Sequence, residues 1–183
     1  MKERLIKTNT NKSGFTLIEM LIVVLIIGIL AAIVLPQYQF ASYRSKYATM
    51  SSLVRALANA QEEYYMAKGE YAPSDEYLTV GMPKEGAPIN AEGRPVIGYG
   101  AFSVGAAYAS GILMDGDARV ASYTIYYKNS ASNNKGQIRC VTYASRQKIG
   151  NKICESAGGE LKSSASCGTT GSTICNQYFL SAY

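Results

Sequence analysis

The chain has 183 residues, 18 of them basic and 13 acidic, for a net charge of +5, and it has no histidine. Without histidine there is no Ser-His-Asp triad, no Cys-His dyad and no imidazole-ligated zinc. Fifteen tyrosines with no tryptophan suit surfaces half buried against a neighbour, because the ring is apolar and the hydroxyl needs a partner.

Residues 1–14 carry Lys2, Arg4, Lys7 and Lys12 against Glu3 alone. That basic excess marks the N-terminal side as cytoplasmic. It also holds +3 of the net charge, leaving only +2 for the remainder, which weakens a whole-chain case for nucleic-acid binding. The next stretch reads GFTLIEMLIVVLIIGILAAIVLP, from Gly14 to Pro36. Of the 21 residues from Phe15 to Leu35 only Glu19 is charged, and about 20 apolar residues suffice to cross a bilayer core as a helix. A carboxylate at the centre of such a span costs about 2.5–3.5 kcal/mol. Glu19 lies near one end, where the cost is lower, but it still needs a partner, which makes it a candidate functional residue. A secretory signal would be cut after the apolar run, at small-x-small. Here Ala31-Ala32 runs on into Ile-Val-Leu-Pro. The better processing site is Gly14-Phe15, where a cut removes the basic leader and keeps the helix.

At these residues the chain resembles the type IV prepilins and their pseudopilin relatives. Gly14-Phe15-Thr16-Leu17-Ile18-Glu19 is similar to their processing and methylation motif. Gly28 to Tyr38 is similar to the N-terminal helix of type IVa pilins. The resemblance is close from Ser13 to Tyr43 and holds beyond that only in outline. It implies that Gly14 ends a leader recognised by a membrane prepilin peptidase. It implies that Phe15 becomes an N-methylated N-terminus and that Glu19 docks the subunit onto a growing filament. The physics agrees. Cleavage leaves an amine at Phe15, mostly protonated at neutral pH, one helical turn from Glu19. Pairing with the amine of the next subunit would set a register between helices, as one buried polar group does in a coiled coil.

Gly28 and Pro36 weaken the helix, since proline removes one backbone hydrogen bond and clashes with the preceding turn, costing about 3 kcal/mol. The plain expectation is a kink. The functional one, which relatives suggest, is a helix break between Gly28 and Pro36 that opens in the filament. From Gln37 to Lys68 the pattern becomes amphipathic: Tyr43, Tyr47, Met50, Val54, Leu57, Gln61 and Tyr64 recur at three and four, widened by Leu53 and Ala60. Arg44, Lys46, Arg55, Glu62 and Glu63 fall opposite, and Gly69 is the expected stop. A helix from Phe15 to Lys68 has 54 residues and a length of roughly 80 Å. Only its first part fits a membrane; the second lays its stripe on a sheet.

Residues 70–98 read as loop, with Pro73, Pro83, Pro88 and Pro95 among glycines. Glu70, Asp75, Glu76, Glu85 and Glu92 make it acidic; calcium is the lesser alternative, for no EF-hand spacing is present. Strands are expected at Tyr99–Tyr108, Arg119–Lys128 and Gly136–Tyr143, with turns at Asp115-Gly116-Asp117 and Asn129–Lys135. Ser145–Ala157 reads as a short helix ending at Gly158-Gly159. The tail is rich in Ser, Thr and Gly and carries an apolar run at Tyr178-Phe179-Leu180. Lys135, Arg139, Arg146, Lys148, Lys152 and Lys162 make the C-terminal part basic: a solvated face, or a contact for DNA or another anionic surface.

All four cysteines, Cys140, Cys154, Cys167 and Cys175, fall in the last quarter. An even count, irregular spacing and an extracytoplasmic head argue for disulfides over metal. Four cysteines allow three pairings. Local closure, and the disulfide-bounded C-terminal region that recurs in the pilins the chain resembles, favour Cys140–Cys154 with Cys167–Cys175.

The expected fold is α+β: a long N-terminal helix, transmembrane in its first half, packed on an antiparallel sheet with a disulfide-bounded C-terminal region. The expected domains are a leader at 1–14, the helix at 15–68 and an extracytoplasmic head at 69–183. The resemblance implies a non-enzymatic structural subunit without cofactor or metal. It would be held in the inner membrane and polymerised with its own copies and related pilins, for adhesion, twitching motility or DNA uptake. Its further partners would be the prepilin peptidase, membrane lipid, and an inner-membrane platform driven by a cytoplasmic ATPase. The alternatives are a type II secretion pseudopilin and a minor pilin acting as an adhesin or DNA-binding tip.

Overall fold

The computed structural model describes residues 14–82, 96–97, 100–166 and 174–181. The chain divides into two units, Met1–Gln39 and Phe40–Tyr183. Helix α1, Leu17–Lys68, contributes to both.

In the first unit every described residue except Ala31 is exposed. The side chains from Leu17 to Leu35 are apolar apart from Glu19, and this part of α1 is long and apolar enough to cross a membrane. A helix answers its own backbone polar groups, so an all-round apolar surface costs nothing in lipid. The helix runs through both Gly28 and Pro36. The expected break between them concerns an assembled filament and stays a proposal.

In the second unit the rest of α1 supplies one wall of the core. Tyr47, Met50, Val54, Leu57, Ala58, Ala60 and Gln61 are buried, all but Ala58 belonging to the three-and-four stripe read from the sequence. Its outer members Tyr43 and Tyr64 are half-buried. The helix stops at Gly69, whose φ of +76° is a left-handed turn that glycine enters without steric cost. Its N–H donates to the Tyr65 carbonyl at 2.8 Å. Gln61 then clamps the returning chain: its side chain donates to the Ala72 carbonyl and accepts from the Ala72 N–H, both at 2.9 Å.

The sheet is antiparallel and has seven strands: β1 Val96–Ile97, β2 Gly100–Val104, β3 Tyr108–Asp115, β4 Ala118–Tyr126, β5 Ile138–Thr142, β6 Glu160–Ser166 and β7 Ile174–Leu180. Their order is β1-β2-β3-β4-β5-β7-β6. The first five form a meander. Helix α2, Gln147–Ser156, then carries the chain past the site of β7 to the edge, and β7 fills the gap. Register aligns Phe102, Gly111, Tyr123, Cys140 and Tyr178 in one cross-strand row. All five are buried, and α1 lies over the row. A Cβ on Gly111 would sit 2.8 Å from Met50 Cγ and 2.9 Å from Val54 Cγ2. Tyr47 meets Tyr123 edge to face at 6.1 Å between centroids, and its hydroxyl donates to Cys140 Sγ at 3.0 Å.

Four parts of the sheet differ from the sequence expectation, the first being β1, which falls at the end of residues 70–98, read as loop. The strand expected at Tyr99–Tyr108 is two, β2 and β3, parted by a turn where the Gly105 N–H donates to the Tyr108 carbonyl at 3.2 Å. The second of these runs on to Asp115, through Ser110-Gly111, which interrupts any apolar alternation. The tail, for which no strand is expected, forms β6 and β7, held by pairing along the sheet. The hairpin turn after Asp115, the β4 and β5 strands and α2 fall where the spacing put them, within two or three residues.

Cys140 and Cys154 form a disulfide between β5 and α2, with Cα atoms 5.7 Å apart. Cys175 is disulfide-bonded as well. Cys167 lies outside the described residues, as do the acidic Glu85 and Glu92.

Candidate functional site

The candidate site is the start of α1. Gly14 and Phe15 precede the helix and are exposed, Phe15 at 81%. Nothing packs within 4 Å of a Cβ built on Gly14, so this peptide bond is sterically open. Thr16 is the residue just before the first helical turn, and Glu19 is its third residue. The two are bonded reciprocally. The Thr16 N–H and hydroxyl both donate to Glu19 Oε2, each at 2.7 Å. The Glu19 N–H donates to Thr16 Oγ1 at 3.3 Å. This is a capping box, which satisfies two of the N–H groups that a helix start leaves orphaned. The carboxylate also sits at the positive end of the helix dipole.

Sequence reasoning singled out Glu19 and missed Thr16. The signal was present, because Thr-x-x-Glu directly before an apolar run is the capping-box pattern. The finding changes how Glu19 is partnered. With Gly14 attached, the Phe15 nitrogen is a peptide amide, and the acid is answered inside its own chain by Thr16.

From Leu17 to Leu35 the larger side chains are between 45% and 77% exposed. Leu, Ile and Val point outward in every direction with one acid at the head of the run. Such a surface excludes water only when lipid or other apolar helices cover it.

Three of the basic residues of the C-terminal part have partners within the fold. Arg139 lies over the rings of Phe179 and Tyr126, at 4.7 and 5.5 Å, and donates to Gln137 and Asn134. Arg146 pairs with Asp115 at 2.8 Å, and Lys162 with Glu160 at 3.2 Å. Among the described residues no group of three or more His, Cys, Asp or Glu could hold a metal ion.

Several tyrosine hydroxyls are shifted. Burial pushes Tyr47 and Tyr127 far above the ordinary tyrosine range. Burial, with the Asp115 carboxylate beside it, raises Tyr43 more modestly. These groups stay neutral and structural at physiological pH.

A family model described as the prokaryotic N-terminal methylation motif matches residues 9–35. The chain is 39% identical over 75 residues to the type IV major pilin protein PilE1 of Neisseria gonorrhoeae, covering 41% of this chain and 46% of that one. It is 44% identical over 77 residues to a fimbrial protein of Neisseria meningitidis serogroup B, covering 42% and 45%. It is 42% identical over 69 residues to the type IV major pilin protein PilA of Myxococcus xanthus, covering 38% and 31%. The chain thus spans about half the length, or less, of the curated relatives it matches. No solved structure matches it significantly. Motif, exposed apolar helix and relatives together make the N-terminal segment of this chain similar to that of type IV pilins.

Proposed function

We propose that this chain is a structural subunit of a type IV pilus-like filament. It is cut between Gly14 and Phe15 by a prepilin peptidase and methylated at Phe15. It is stored in the inner membrane through residues 15–35 and polymerised there with copies of itself and related pilins. Energy comes from a separate platform and its ATPase, and the subunit itself needs neither cofactor nor metal. The observation that carries the reading is the unburied first half of α1, with a single carboxylate in its opening turn. A monomer in water has no means of covering that surface. A bilayer covers it before assembly, and neighbouring helices cover it afterwards.

Glu19 is the assembly residue in this reading. Its carboxylate exchanges the Thr16 bonds for the amine of a neighbouring Phe15, which fixes axial stagger. Gly28 and Pro36 are the points at which α1 opens when neighbours crowd it.

The test is mass and N-terminal sequence of the chain from sheared fibres, with Glu19→Val alongside. The reading expects a methylated Phe15 start, and a Glu19→Val chain that is processed normally but absent from fibres. A fibre subunit that still begins at Met1, or Glu19→Val fibres at parental yield, would refute it.

A further inference from the structure

Three elements meet around Tyr43 at the beginning of the second unit. Arg146, just before α2, pairs with Asp115 at the end of β3 at 2.8 Å. The same Asp115 carboxylate lies beside the Tyr43 hydroxyl. The Ser145 hydroxyl donates to the Arg119 carbonyl at 2.8 Å, and the Arg119 guanidinium lies over the Tyr143 ring at 5.5 Å. On α1 itself, Lys46 Nζ lies 5.7 Å from the centroid of the Tyr43 ring. Arg44, Arg146 and Lys148 are exposed. Five cations, Arg44, Lys46, Arg119, Arg146 and Lys148, are therefore brought to one end of this unit against Asp115 and Asp117.

This end is also tied to the apolar span by chain length. Eight residues lie between Leu35 and Arg44, whatever course the chain takes. By the charge rule for translocated flanks, Arg and Lys so close to a span are disfavoured. The fold adds Arg119, Arg146 and Lys148 from positions remote in sequence. By contrast, the acids Glu62, Glu63, Glu70 and Glu76 fall at or beyond the far end of α1.

We propose that this basic cluster is a docking surface for anionic phospholipid headgroups, which holds the head of the stored subunit against the membrane before assembly. Lysine and arginine engage phosphate by charge-assisted hydrogen bonds, and basic residues next to a span gain affinity from an anionic leaflet within a Debye length. The proposal rests on the reading that residues 15–35 lie in the bilayer.

The experiment uses the full chain in vesicles of phosphatidylcholine, with or without phosphatidylglycerol. Amine acylation is read by mass spectrometry as the labelling of Lys46 and Lys148 relative to Lys68, at the other end of α1. Flotation with phosphatidylcholine vesicles tests the span separately. A chain that does not float removes the membrane reading and this surface with it. For a chain that floats, the ratio is expected to fall about thirtyfold when phosphatidylglycerol is added, as two engaged cations would give, and to recover in high salt. Equal ratios in the two vesicle types overturn the surface. A fall that follows protein density in phosphatidylcholine alone also overturns it, by making a second copy the occupant. An equal fall produced by inorganic phosphate overturns it in favour of a free-anion site.

Discussion

Gly111 is the point at which the helix–sheet packing can be tested most directly. A methyl group there would meet Met50 Cγ at 2.8 Å and Val54 Cγ2 at 2.9 Å, closer than real carbon contacts allow. Met50 can swing its thioether aside, but Val54 is stiff at χ1, and both are buried to within 1%. Overpacking of this kind costs about 1–3 kcal/mol. Against it, removing a glycine from a strand returns about 0.5–1 kcal/mol of backbone entropy. Gly111→Ala is therefore expected to destabilise the head by a net of about 1–2 kcal/mol, and Gly111→Val by more. The assay is urea denaturation of the full chain in micelles, followed by tyrosine near-ultraviolet circular dichroism, which reports the head and not the micelle-covered span. Val54→Ala leaves a cavity on its own. Combined with Gly111→Ala it should cost less than the two losses added, with a coupling of about 0.5–3 kcal/mol. A Gly111→Ala protein as stable as the parent, or a strictly additive double variant, would show that α1 does not press on β3 at this residue.

Three further outcomes follow from the core. Tyr127 is buried, and its hydroxyl has no hydrogen-bond partner among the described residues. Tyr127→Phe should thus be neutral or stabilising by about 1 kcal/mol, whereas Tyr47→Phe loses the bond to Cys140 Sγ and should destabilise; a denaturant midpoint for each settles the order. Tyr47 and Tyr127 have folded-state pKa values raised by burial, so the folded form holds these protons more tightly than the unfolded chain does. Their contribution is complete below the unfolded tyrosine value of about 10 and is lost as pH rises past it. Melting temperature should accordingly fall above that pH, with two or more phenols ionising only on unfolding in a phenolate absorbance titration. Finally, Cys140 and Cys154 close a chain separation of 14 residues, and replacing both by serine should cost about 3 kcal/mol, measured again by denaturant midpoint under oxidising conditions.

What the sequence revealed depended on where local pattern and tertiary context agree. The apolar run and its acid are properties of the chain alone, since no neighbour is needed to make Leu17–Leu35 greasy or Glu19 charged. The Tyr47-to-Gln61 stripe was legible for a similar reason: one helix presents one face, and its period survives in the sequence. β4 and β5 were legible because Val, Ile, Thr and Tyr cluster between polar turns. β3 was hidden because its centre is Ser110-Gly111: Gly111 is small in order to admit Met50 and Val54, and Ser110 turns to the other face to bond Thr124, so the packing that requires the strand erases its signature. β6 was hidden because its serines at the sheet edge carry no burial pattern, and β7, an inner strand, because Asn176-Gln177 interrupts its apolar residues. Their register comes from β5, where Cys140 faces Tyr178. Thr16 carries a weaker signal, because Thr-x-x-Glu is a short pattern that becomes a cap only where the hydroxyl and the carboxylate meet.

The Thr16–Glu19 capping box bears on why an acid is kept at the start of an apolar helix. A bare carboxylate in lipid is driven toward any cation by a penalty of several kcal/mol. Such an acid would gain affinity from a neighbour's amine but little discrimination, because a wrong partner relieves the same penalty. Glu19 begins with two hydrogen bonds at 2.7 Å from Thr16. Docking then exchanges one satisfied state for another, and the net gain is the difference between them. A misplaced amine cannot match what Thr16 already provides. On the proposed assembly this makes the carboxylate a register device more than a glue. Thr16→Ala, which strips the carboxylate of its hydroxyl donor, is expected to leave processing intact and to loosen axial order in fibres by layer-line measurement. Fibres of unchanged sharpness from Thr16→Ala would mean that the cap plays no part in selection.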